Sequence, residues 1–114
     1  MNKMIKSFGW AMNGVRTVWR EEVNFRIELF VGMAVVVLGF YFKLAIIEWV
    51  VIAGCITTVL SAEMVNTAIE DLCNKVEPNT DPAIGKIKDT MGGFVFIVAL
   101  GAAIVGAMIF SKYF

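Results

Sequence analysis

The chain has 114 residues, enough for one small domain. Its composition is 59% hydrophobic and 18% charged, with a mean hydropathy of +0.76, which points to a membrane protein rather than a soluble one. A net charge of zero argues against a nucleic-acid partner, and the absence of histidine removes the commonest catalytic base and the imidazole metal ligands. A general base must then be a carboxylate, lysine, tyrosine or cysteine, and a metal held by carboxylates and amides would be a hard one such as magnesium.

The N-terminal segment is not a signal peptide, because charges continue from Lys3 to Glu28 before the first long apolar run. Within it Met4, Ile5, Phe8, Met12, Val15 and Trp19 recur at helical spacing, with Lys3, Lys6, Arg16 and Arg20 between them. That pattern predicts an amphipathic helix over residues 3–20, lying on a membrane surface rather than packed on a soluble core. Residues 29–42 are uncharged, and extended back to Phe25 they would reach about 27 Å, almost the hydrocarbon thickness. A short charged connection, residues 43–48, leads to a second membrane helix over about residues 47–72. The third helix spans residues 82–111, because Asp81 and Pro82 read as an N-cap followed by proline at the first helical position. Residues 90–111 within it carry no charge, and they form the one run that is unambiguously transmembrane by itself. The expected fold is all-α, a single integral membrane domain over residues 1–114 with one surface helix and three transmembrane helices.

Cys55 and Cys73 form neither a CxxC pair nor a disulfide framework, and read as small apolar residues. Lysine and arginine number eight in residues 1–28 and 70–89 together, against two in the 43–48 loop and the tail. The N-terminus and the 70–89 loop should therefore be cytoplasmic. Ala99, Ala102, Ala103, Gly106 and Ala107 provide small-residue spacings for close helix contacts. A bundle of three spans encloses little, so a homo-oligomer is expected.

The chemistry concentrates in residues 62–89. Glu63 and Glu70 are seven residues apart, which on a helix leaves them about 20° apart around the axis and roughly 10 Å apart along it. Asn66 lies between them at spacings that bring side chains together. Carboxylates entering an apolar run are costly and point to function. Phosphoryl transfer needs a metal ion, a cation at the phosphates and a group to orient or deprotonate the acceptor. Glu70, Asn66 and one glutamate of the Glu21-Glu22 pair are plausible magnesium ligands. Lys88 could bind phosphate, and Glu63, deeper along its helix, is the best-placed base. The bland alternative is that these groups snorkel or form interfacial ion pairs. No phosphate-cradling GxxxxGK[ST] occurs. Gly92 and Gly93 clear the face beside Asp89, either for a lipid headgroup or for a neighbouring helix.

The sequence ExxNTAIE at positions 63–70, Lys88 with Asp89, and EVNFR at 22–26 resemble the prokaryotic diacylglycerol kinase family, which includes undecaprenol kinases. The resemblance covers nearly the whole chain. It implies a homotrimeric enzyme of the bacterial inner membrane that phosphorylates a lipid alcohol with MgATP at a site between subunits. It further implies Glu63 as catalytic base, Glu22 and Glu70 as metal ligands, and Asn66, Lys88 and Asp89 as further active-site residues. Glu22, Glu70, Lys88 and Asp89 would bind nucleotide, and Glu63, Gly92 and Gly93 would meet the lipid. Glu28 matches less consistently. Where members often carry an aspartate four residues after the second glutamate of the motif, this chain has Asn74. Phe40, the Ile46-Ile47-Glu48-Trp49 segment and the NTAIE form lean towards the undecaprenol branch. A membrane transporter and a non-enzymatic membrane oligomer are the competing classes. The first would place its charge near midplane, and the second would tolerate substitution at Glu63 and Asn66.

Overall fold

A computed structural model describes residues 2–114 and is helical throughout, in the order α1 (Asn2–Glu21), α2 (Val23–Phe42), α3 (Ile46–Val76) and α4 (Pro82–Ser111). The last three are each long and apolar enough to cross a membrane. The bundle is thin, 50 × 42 × 20 Å, with α4 packed along α3, α3 on α2, and α1 against both α2 and α3.

The break between α1 and α2 is a single residue. Glu22 is extended (φ −120°, ψ 106°), which turns the chain between two 20-residue helices. The Arg26 guanidinium reaches back to the carbonyl oxygens of Trp19 and Arg20, satisfying orphan acceptors at the α1 C-terminus and setting positive charge at its dipole's negative end. Val18 is the α1 side chain that is buried, whereas Met4, Ile5 and Phe8 of the apolar stripe are 77, 63 and 68% exposed. The first half of the stripe therefore does not pack on its own chain, whereas Trp19 further along lies edge-on to Phe30 of α2.

At the opposite end α2 closes on Lys43 in the left-handed region (φ 57°), and the amide of Leu44 donates to the carbonyl of Gly39 at 3.1 Å. Gly39 allows the close approach of Trp49, because a Cβ there would lie 2.5 Å from the indole. The charged connection expected over residues 43–48 is shorter than its sequence suggests. Glu48 already belongs to α3, where its carboxylate accepts from the amide of Ala45 at 2.9 Å. It also accepts from the Tyr113 hydroxyl at 2.7 Å and pairs with Lys112, so the C-terminal tail is tied to the start of α3. Stacking of Tyr113 on Phe42 extends this clasp to α2. Glu48 holds both the Lys112 ammonium and the Tyr113 phenol above their ordinary pKa ranges.

α3 continues through Glu63, Glu70 and Asp71 to Val76, further than its apolar character reaches. At about 1.5 Å per residue its 31 residues span about 46 Å, so its last turns stand clear of a 30 Å hydrocarbon layer. α4 begins where the N-cap chemistry places it, with Asp81 accepting from the amides of Ala83 (2.9 Å) and Ile84 (3.2 Å).

Candidate active site

Glu63, Asn66, Glu70 and Asn74 recur along α3 at intervals of three, four and four, so they form one polar stripe on a single helix face. The stripe runs from the membrane-embedded part of α3 to its free end. Measured from Ile46, Glu63 lies about 26 Å along the axis and Glu70 about 36 Å, which straddles the edge of the hydrocarbon layer. Lys88 lies about 35 Å from Ser111 along α4, level with Glu70.

Glu63 is 1% exposed, and neither of its carboxylate oxygens has a hydrogen-bond partner among the described residues. The carboxyl of Glu28 faces it, and Glu22 and Glu70 are close enough for their charges to act on it. Glu28 Oε2 and Asn66 Oδ1 are likewise buried without a partner. Asn66 Nδ2 donates to Glu70 Oε1 at 3.4 Å, and the Thr67 hydroxyl returns to the Glu63 carbonyl at 2.9 Å. What the fold builds here is a buried set of acceptors without donors. Leaving such groups unmatched costs about 1–3 kcal/mol each. A hydroxyl or a cation is what would complement them.

The donor set is all oxygen, which suits a hard cation. No three acidic or thiol side chains converge to cage a metal among the described residues. Magnesium bound through one or two carboxylates and the phosphates of a substrate needs no such cage, so Glu22 and Glu70 fit that role. Glu21, beside Glu22, contacts Asp71, and this carboxyl–carboxyl contact raises its pKa. Glu22 is half-buried while Glu21 is exposed.

Other expected residues stand further out. Lys88 is half-buried and donates from Nζ to Asn74 Oδ1 at 2.7 Å, with no ion pair to a carboxylate among the described residues. Asp89 is exposed, and its side chain forms no hydrogen bond among the described residues. Gly92 and Gly93 are exposed, and an added Cβ at either would meet nothing within 4 Å. Two residues gained weight from the structure. Glu28 was legible as the last charge before fourteen uncharged residues, but its approach to Glu63 from another helix was not. Asn74, four residues after Glu70, was notable in sequence only as a departure from the aspartate often found there, with no sign of its contact to Lys88.

An apolar cavity of about 490 Å³ opens beside this cluster. Glu28 is its only acidic or basic lining residue, and its walls run between α2, α3 and α4 past Gly32, Ile56 and Ala103 to Phe110 and Phe114. The small residues of α4 line this groove, so within one chain they create space instead of a tight helix contact.

Residues 9–110 match the family described as prokaryotic diacylglycerol kinase. The chain is 34% identical to the undecaprenol kinase of Bacillus subtilis, over 96% of this chain and 89% of that one. It is 33% identical to a diacylglycerol kinase of Synechocystis, over 90% of this chain and 59% of the other, and 26% identical to that of Escherichia coli K12, over 90% and 84%. A polar stripe on one of three membrane-length helices thus coincides with a match along nearly the whole length, and the chain belongs to the prokaryotic diacylglycerol kinase family, a lipid kinase by that membership.

Proposed function

We propose that the protein transfers the γ-phosphoryl group of ATP to the hydroxyl of a membrane lipid alcohol in a magnesium-dependent reaction, with undecaprenol favoured over diacylglycerol. The observation that carries this reading is Glu63, a carboxylate 1% exposed with both oxygens unpartnered at the membrane edge of a stripe that ends in water. A lipid hydroxyl is the donor this position lacks. Its chain would lie in the apolar groove that begins at Glu28.

In this mechanism Glu63 accepts the hydroxyl proton as the lipid oxygen bonds to the γ-phosphorus and the bond to the ADP oxygen breaks. Glu28 faces the same carboxylate from α2. Glu22 and Glu70 would hold Mg2+, which would supply neutralisation of charge on the phosphates. Asn66 orients Glu70 through its amide while keeping Oδ1 free towards the site. Lys88 supplies a positive point charge at the phosphates, level with Glu70. Asp89 extends the nucleotide side, and Gly92 and Gly93 leave room for the headgroup.

The proposed assembly is a homotrimer in the inner membrane of a bacterium, with the N-terminus and the 70–89 loop cytoplasmic. The 20 Å slab and the unpacked α2 and α4 faces support an oligomer, and the distribution of lysine and arginine supports the orientation. The preference for undecaprenol rests on the Bacillus relative, which aligns over more of both chains than the Synechocystis kinase does. The deciding experiment presents purified protein in lipid nanodiscs with γ-labelled ATP, Mg2+ and a panel of lipid alcohols. Transfer of label to undecaprenol above diacylglycerol is expected, with loss on chelation of Mg2+. No transfer to any lipid alcohol would overturn the assignment.

A further inference from the structure

Lys88 is the basic side chain assigned to the proposed site, and the structure shows how it is aimed. Its Nζ donates to Asn74 Oδ1 at 2.7 Å, across a gap of 14 residues in sequence and from α4 to α3. Asn74 stands one turn beyond Glu70 on the same face, in the last turns before α3 ends at Val76. Lys86, two residues away, projects elsewhere and has no side-chain hydrogen bond among the described residues, so the tether is specific to Lys88.

The chemistry of the acceptor matters. An ammonium has three donors, and a single bond to an amide oxygen leaves two. The amide carries no charge, so Lys88 is held in place without being neutralised. The one ion pair among the described residues is at the far end of the bundle, between Lys112 and Glu48. We infer that Asn74 is a positioning residue that points the Lys88 ammonium at the nucleotide phosphates through a neutral tether, and that it thereby sets nucleotide affinity. This rests on the phosphate role assigned to Lys88 above.

An aspartate at 74 would have the same shape but would pair with Lys88 and compete with the phosphates for it. The test measures binding of Mg·AMP-PCP, a non-hydrolysable nucleotide, to the full chain in nanodiscs, so that inactive variants can still be read. Asn74→Asp should weaken binding about three- to fivefold, the size of a partly exposed ion pair. Asn74→Gln, which keeps a neutral acceptor, should bind like the parent. Asn74→Ala should weaken binding in the parent but add nothing in a Lys88→Ala background, because the two act as one unit. In turnover, Asn74→Asp should raise the KM for nucleotide, with kcat and the KM for lipid unchanged. Parent-like binding by Asn74→Asp while Lys88→Ala binds weakly would overturn the tether. Parent-like binding by Lys88→Ala as well would show instead that Lys88 does not meet the phosphates, and the underlying assignment would fail.

Discussion

Replacing Glu63 with glutamine should remove activity and raise stability together. The side chain is 1% exposed and its two oxygens face the Glu28 carboxyl, where the only donor available to the pair is a proton shared between two acids. Glutamine has the same number of heavy atoms, so no cavity opens. Its amide group supplies a permanent donor in place of a proton that two acids must share, and such a hydrogen bond is worth about 0.5–1.5 kcal/mol, nearer the low end inside a membrane bundle. The same change takes the proton acceptor from the lipid hydroxyl, and loss of a general base costs about 10²–10⁴ in rate. Transfer of labelled phosphate to lipid in nanodiscs measures the first effect, and thermal denaturation of the same preparation followed by circular dichroism measures the second. Turnover above a tenth of the parent would remove Glu63 from the base role. A lower melting temperature would show that the carboxylate is stabilised by its surroundings, contrary to the argument from its orphaned oxygens.

At Gly39 an alanine Cβ would meet the rigid Trp49 ring at 2.5 Å, and overpacking of this kind costs about 1–3 kcal/mol, more than the helix propensity gained. Gly9→Ala, with open space around it, should be neutral or stabilising by up to about 1 kcal/mol, and melting curves of the two variants should move apart. The clasp at the far end has a pH signature. Lys112 is raised above its ordinary pKa by its hydrogen bond to Glu48, so its contribution is complete below that ordinary value, 10.5, and is lost as pH rises through the raised one. Lys112→Met should therefore melt below the parent at pH 7, with the difference closing only in strong alkali. Glu21 follows the same sense, but in acid. Its pKa is raised from 4.5 by the contact with Asp71, so that contact favours the fold below pH 4.5 and loses its favourable effect as pH rises through the raised value. Glu21→Gln should accordingly melt above the parent at neutral pH, and a gap that persisted unchanged in acid would refute the carboxyl contact as its cause.

Residues with a local cause were legible without coordinates. Asp81 and Pro82 announce the start of α4 because capping is chemistry between neighbours in sequence. Glu63, Asn66 and Glu70 could be placed on one face because helix geometry alone relates them. The length of uncharged chain identified the last span, since backbone satisfaction in lipid leaves a helix as the available form. The end of α3 was less legible: the helix expected to about residue 72 runs on to Val76, because a polar stretch is compatible with a helix that continues into water.

Contacts between helices had no such local signature. Glu28 meets Glu63, Lys88 meets Asn74, and Tyr113 and Lys112 meet Glu48, and each pairing depends on how two helices cross. The amino-acid order determined a membrane-embedded all-α chain with acidic and amide groups on one stripe, because period and hydropathy act over a few turns. Which carboxylates face one another, which lysine is aimed and which small residues line a groove were decided by tertiary packing, because each is a matter of distance between segments far apart in the chain.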